Sequence, residues 1–330
     1  MDYSDLKIQN KKKQHYVPQF YLNSWLGNFN KELWVRNSKK KEPIPYRQCD
    51  TTDLCEEIYF YKVEIDDVVF DMLNYKYAND IVCDEIVKRI LNKIHMLKLA
   101  DDVIRKKQFV TNTDKAANSF AEDLLKVANK NFLENEYSIM EKIVSHEINV
   151  LTKSQSSHIV MPISEKVHPC LIAFFSFQYF RTEKTINMLR ENITSMVLQR
   201  DGEDITLTDK QTDSVLKCTL YIESFKLART LEKENYHITV LKNHTKLNLI
   251  TSDSPAILFY DQGIGIMPLA PKLLMKLEKK SYSSANKKML IDSIVNSDVI
   301  GSYNSAIAQA SHSILIAKKK SELKAINKNL

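Results

Sequence analysis

Apolar positions recur at helical spacing through the middle of the chain and at strand spacing toward its end. Asp80–Leu99 sets Ile81, Ile86, Ile90, Ile94 and Leu97 along one side of a predicted helix. Thr113–Leu151 predicts a long amphipathic helix, with Asp114 in its first turn and Phe120, Leu124, Val127, Ile139, Ile143 and Ile148 on the apolar side. A further helix is expected to run to about Arg200, started by Pro169 in its first turn or capped by Ser164 ahead of Glu165. Asp209–Glu232 makes another, capped by Thr208. The period changes near Tyr236. Tyr236–Lys242, Leu247–Thr251 and Ala256–Tyr260 are short and β-branched or aromatic, and Asn243–Thr245 is placed to turn the first two into a hairpin. Leu273–Leu277 and Ser313–Ala317 predict two more strands, with a helix over Lys287–Ala310 interrupted at Gly301. Near the start, Pro18 suits a helix beginning inside the aromatic-rich Gln14–Leu26, and Glu32–Asn37 reads as a short strand. Pro43 and Pro45 mark an extended loop, and Met267–Pro271 a rigid turn. The pattern predicts the α+β class, a predominantly helical body with a small C-terminal antiparallel sheet. Its organisation reads as a motif segment with a short strand (1–62), a helical region (63–235) and a sheet-containing region (236–330), packed together as one unit.

Composition narrows the function classes. The chain of 330 residues is 44% hydrophobic and 27% charged, which excludes wholesale disorder. With only 5 Gly it has few places where backbone can close around a phosphate, and it carries no Walker loop, kinase Gly-rich loop or G-x-S-x-G elbow. The net charge of +6 is unevenly spread. Residues 1–47 carry ten basic against four acidic groups and residues 272–330 eleven against four, so the stretch between is acidic. Basic ends can draw a polyanion to one face, or they can simply keep the chain soluble. The five Cys lack C-x-x-C spacing and read as reduced thiols. The N-terminus has no apolar signal region and no run is long enough for a membrane span, so a cytoplasmic protein without a membrane partner is expected.

Several polar groups are candidates for chemistry. His15 and Gln19, with Asn23, share a face if their segment is helical, where they orient a phosphate or a water, or else buttress a docking helix. Glu134 and Glu141 lie seven apart on the long helix, as a divalent-metal pair (Mg or Mn) or as a solvated stripe. Gln178 and Arg181 interrupt the strongly apolar Phe174–Thr182. A buried guanidinium needs a partner, and Asp253, Glu134, Glu141 or an anionic ligand can supply it. Ser252 and Asp253 end an apolar strand ahead of Pro255, as a general base, a metal ligand or an Arg181 anchor, or as an Asx-turn.

Taken in order, the stretch HYVPQFYL (His15–Leu22), Leu33–Val35, the Glu134/Glu141 helix, Gln178-x-x-Arg181-Thr182, Ser252-Asp253-x-Pro255 and Pro268-Leu269-x-Pro271 resemble a large, mainly prokaryotic family of unknown function with that N-terminal signature. The resemblance spans about Gln14–Ala317. It departs in a longer, more helical Tyr61–Lys107 and in Ser254, where the family often has Asn. The family has no settled activity, so the resemblance implies a fold and a set of polar positions, not a mechanism. Two readings stand. The first is a nuclease-like enzyme acting on a nucleic acid or nucleotide, for instance in phage defence. Here His15 or Asp253 activates water, Arg181 stabilises phosphate charge, Gln19, Gln178 and Ser252 bind substrate, and Glu134 and Glu141 hold the metal. The second is a non-catalytic binding or scaffold protein whose polar motifs form a buried hydrogen-bond network.

Overall fold

A computed structural model of the chain describes residues 11–26, 31–37, 46–105, 115–153, 167–194, 198–200, 203–279 and 289–326. Numbered in chain order, the elements are β1 (Lys13–His15), α1 (Gln19–Asn23), β2 (Glu32–Asn37), β3 (Tyr46–Asp50), β4 (Glu56–Ile58), α2 (Asp67–Lys76), α3 (Ala78–Cys83), α4 (Glu85–Arg105) and α5 (Lys115–Lys153). They continue with α6 (Val167–Phe180), α7 (Glu183–Thr194), β5 (Leu198–Arg200), β6 (Glu203–Ile205), α8 (Asp209–Lys233), β7 (Tyr236–Asn243), β8 (Thr251–Ser252), β9 (Ile257–Phe259) and β10 (Ile264–Ala270). The last are β11 (Leu273–Lys279), β12 (Met289–Ile294), α9 (Ser297–Ala310), β13 (Ile314–Ala317) and α10 (Lys320–Ile326). The fold is α+β and predominantly helical, as the periodicity predicts.

Two compact units share these elements. The first takes residues 1–14, 57–138 and 186–223, and the second 15–56, 139–185 and 224–330. The first unit is built on helices. Asp84 ends α3 and accepts from Ile86 N (2.9 Å) and Val87 N (3.3 Å) as the cap of α4, so the single helix expected over Asp80–Leu99 is two. Thr208 caps α8 as expected, its hydroxyl accepting from Gln211 N at 3.3 Å. Tyr137 packs at a tilt against Tyr61 and meets Tyr221 edge-on (centroids 4.7 and 5.3 Å), which anchors α5 in this unit.

The buried line of α5 is Leu133, Tyr137, Val144, Ile148 and Leu151, whereas Leu124, Ile139 and Ile143 are 44%, 57% and 50% exposed. Of the expected apolar side, Ile148 is thus buried, but these three face outward. The helix expected to reach Arg200 is also interrupted: α6 stops at Phe180, Thr182 Oγ1 accepts from Thr185 N at 3.4 Å, and α7 begins. Arg200 lies in strand β5. The residues expected as Ser164/Glu165 cap, as Asp114 first turn and as the Pro43–Pro45 loop lie outside those described.

The second unit holds both larger sheets. Five strands run in the order β12-β7-β11-β10-β9, antiparallel except for the parallel β12–β7 pair. Four more run β3-β2-β13-β8, so the sheet structure is not confined to the C-terminal part. The expected hairpin between Tyr236–Lys242 and Leu247–Thr251 is absent: β7 pairs with β11 and β12, and β8 pairs with β13. Met267–Ala270, expected as a turn, belongs to strand β10. Lys287–Ala310, expected as one broken helix, gives strand β12 and then an uninterrupted α9 through Gly301. Ile250, Ile266, Ile307, Leu315 and Leu323 form a core in which both sheets, α9 and α10 meet. Gly265 admits the ring of Phe175: a Cβ there would lie 2.9 Å from Cζ.

Candidate functional site

The first motif does not form one helix. His15 ends strand β1, Pro18 precedes α1, and Gln19 opens that helix half-buried, so His15 and Gln19 do not share the expected helical face. Fixed backbone geometry at Pro18 suits this switch from strand to helix. Tyr21 is fully buried, its hydroxyl 2.6 Å from Thr251 Oγ1 and donating to Pro268 O at 2.6 Å. Ser24 Oγ donates to Leu269 O (2.6 Å) and Thr51 Oγ1 to Asn23 Oδ1 (2.8 Å). Phe174 of α6 packs on Phe20 and Tyr21, with centroids 5.5 and 6.2 Å apart. The motif therefore ties its segment to β8, β10 and α6 through buried contacts.

Arg181 finds its partner in Glu141. Its Nη1 donates to Glu141 Oε1 at 2.6 Å, and its Nη2 donates to the backbone carbonyl of His15. The arginine side chain is 2% exposed and the glutamate 26%. Glu141 meets it because it lies on the buried line of α5 with Tyr137, Val144 and Ile148. Glu134 lies on the same helix but in the stretch belonging to the first unit, half-buried. Among the described residues no group of three or more His, Cys, Asp and Glu is placed to hold a metal ion. The carboxylate of Glu141 is spent on a cation of the chain itself.

Asp253 holds a different segment from those foreseen. Its Oδ1 accepts from His312 N (2.9 Å), and its Oδ2 accepts from Ser313 N (2.7 Å), Ser313 Oγ (2.7 Å) and Ile314 N (3.0 Å). The residue is 1% exposed and binds the approach to β13, neither Arg181 nor its own turn. The local turn is made by Ser252 instead, whose Oγ accepts from Ser254 N at 3.1 Å. The side-chain amide of Gln178, 0% exposed, has no hydrogen-bond partner among the described residues.

The motifs nevertheless converge within this unit. Tyr16 N donates to Cys55 O at 3.0 Å, and the Tyr16 hydroxyl and Cys55 thiol are hydrogen-bonded. Burial pushes both groups strongly upward in pKa, and the charges of Asp253 and Glu183 add to the shift. Neither is a nucleophile at neutral pH. Glu183 reaches His312 at 3.7 Å, and Lys184 Nζ donates to Ala310 O at 2.6 Å. Cys55 takes a positive φ of 53°, a strained conformation held by these contacts. Tyr16 belongs to the first motif, whereas Cys55 and Glu183 were not candidates from the sequence, although Glu183 adjoins the motif residue Thr182.

Burial lowers the pKa of the His15 imidazole below its ordinary 6.5, against the opposing pull of Glu56, Glu141 and the carbonyls of Thr51 and Thr52. The unfolded chain then takes up the proton more readily than the folded one. The His15 contribution is intact above pH 6.5 and is lost as the pH falls from there toward the folded value. Thermal melts of wild type and His15→Gln across about pH 5–8 should show a shallower acid-side decline in the variant; equal slopes would contradict the burial of a neutral imidazole.

A profile of the family described as "Protein of unknown function (DUF4238)" matches residues 13–321. No curated protein and no solved structure gives a match. The matched span runs from the strand before the first motif to the start of α10 and takes in every residue of the network described above, and the chain belongs to the DUF4238 family.

Proposed function

We propose that the chain works as a binding or scaffold protein, and that its polar motif residues form the framework of the second unit. The reading rests on Asp253. A carboxylate has about four lone-pair positions, and four donors from residues 312–314 occupy them. A general base or metal ligand needs a lone pair directed at substrate or ion. Arg181 is engaged in the same way by Glu141 and the His15 carbonyl. Two open cavities of about 460 and 660 Å³ lie beside α9, and the residues that line them include none of the motif side chains.

One observation favours the nuclease-like reading, with phage defence as its setting: His15 is held neutral beside Glu56 and Glu141, the state a general base requires. Incubation with labelled DNA, RNA and nucleotides, with Mg²⁺ or Mn²⁺ against EDTA, separates the two readings. The expected result is no turnover under any condition. Product formation that disappears in His15→Gln would replace the binding reading with the enzymatic one.

A further inference from the structure

We propose that one face of the second unit binds single-stranded nucleic acid, its lysines taking phosphates and Trp34 and Tyr46 taking bases. The proposal rests on the binding reading above and adds the partner. Lysines from three separated stretches gather on this face. Lys272 Nζ donates to Thr245 O at 2.6 Å, which seats its ammonium at the turn that carries the exposed His244 and Lys246. Lys318 and Lys319 lie near enough that their charges add to the burial that lowers the Lys272 pKa. Lys320 Nζ sits 5.2 Å from the Trp34 ring centroid and 5.4 Å from that of Tyr46. Lys324, exposed one turn along α10, extends the patch.

Glu322 offsets part of this charge, but from below the surface. Glu322 is 6% exposed and turned inward, accepting from Asn248 Nδ2 at 2.5 Å and Lys319 N at 2.9 Å. Glu32 and Asp50 pair across the β2–β3 ladder just beyond Trp34 and Gln48, where they bound the patch. Crowding like charges costs stability unless an anion relieves it. Charge alone fits any polyanion; the rings decide the class. Trp34 and Tyr46 pack against the core of this unit and remain only half-buried. Aromatic platforms beside a basic track are how single strands are held without sequence preference: every base brings a flat ring on a phosphate chain, whereas a lipid headgroup brings charge without one.

The test is fluorescence anisotropy with a labelled oligothymidylate or oligouridylate, titrated with salt. Lys246→Glu/Lys318→Glu should weaken binding at least about tenfold with an unchanged melting temperature, and the neutral Lys246→Gln/Lys318→Gln should flatten the salt dependence by about 0.7 per lost contact. Trp34 gives a second readout. Trp25, the other tryptophan of the two, is 0% exposed, so quenching on binding reports stacking at Trp34 and should vanish in Trp34→Phe. No binding at low salt, equal affinity of the reversed variant, or binding to phosphatidylserine vesicles in place of the oligonucleotide would overturn the proposal. Cleavage of the bound strand would overturn the binding reading and leave the surface standing.

Discussion

Asp253→Ala should lower the melting temperature by about 10 °C, the largest effect expected of any motif substitution. The carboxylate receives three backbone N–H groups and one hydroxyl from residues 312–314. Alanine leaves those donors without an acceptor in a place where the side chain is 1% exposed. Each stranded donor costs about 1–3 kcal/mol, partly recovered as the segment relaxes or admits water, so a net loss of about 4 kcal/mol is reasonable. In a unit the size of the second, which holds Asp253, each kcal/mol moves the midpoint by about 2–4 °C. Asp253→Asn keeps one oxygen but turns an amide N–H₂ toward donors, so it should recover only part of the loss. Differential scanning calorimetry measures both. A melting temperature within a degree or so of wild type in Asp253→Ala would remove the observation on which the binding reading rests.

Arg181→Ala should cost about 3 kcal/mol, and Arg181→Met/Glu141→Leu should cost less than the single substitution. Breaking a buried pair strands the surviving charge, whereas removing both partners does not. Here the guanidinium is 2% exposed and the glutamate 26%, so water softens the penalty on the glutamate side. The second donor, to the His15 carbonyl, is lost in both variants and cancels in the comparison. A double-mutant cycle by thermal and urea melts isolates the pair. Additive effects would mean that Glu141 and Arg181 are not coupled. Arg181→Lys keeps the charge but cannot serve Glu141 and His15 O with one rigid fork, and should fall between.

Much of the fold was legible where the local chemistry is decisive. The strand Glu32–Asn37 appears with the expected bounds, and Thr208 caps α8 as expected. The misses have physical causes. Strand β10 carries Gly265 and Pro268, residues that argue against a strand. It tolerates the proline because β9 pairs only with Ile264–Ile266, leaving that side open at Pro268. Strand β12 is a short apolar run that fits a helix equally well. On α5 two apolar lines run side by side, and only tertiary packing decides that Tyr137, Val144 and Ile148 go inward while Ile139 and Ile143 do not.

The candidate site was legible in its parts and only partly in its pairings. Arg181 had to find an acid, and Glu141 was among the few available. What Asp253 holds could not be read, because its partners lie about sixty residues away and are mostly backbone N–H groups, which any residue but proline supplies. Gln14 was overlooked for a related reason. Its amide accepts from Tyr61 N and donates to Lys130 O, both at 2.7 Å and far away in sequence.

The pairing of β2 with β13 joins Trp34 to Ala317. During synthesis on the ribosome, β2 emerges well before β13 and must wait for that neighbour, since translation adds about 5–20 residues per second. For that interval its Leu33 and Val35, 1% and 2% exposed once folded, are uncovered on an open strand edge. Truncations that remove β13 should therefore aggregate more, in a light-scattering assay, than point substitutions in β2.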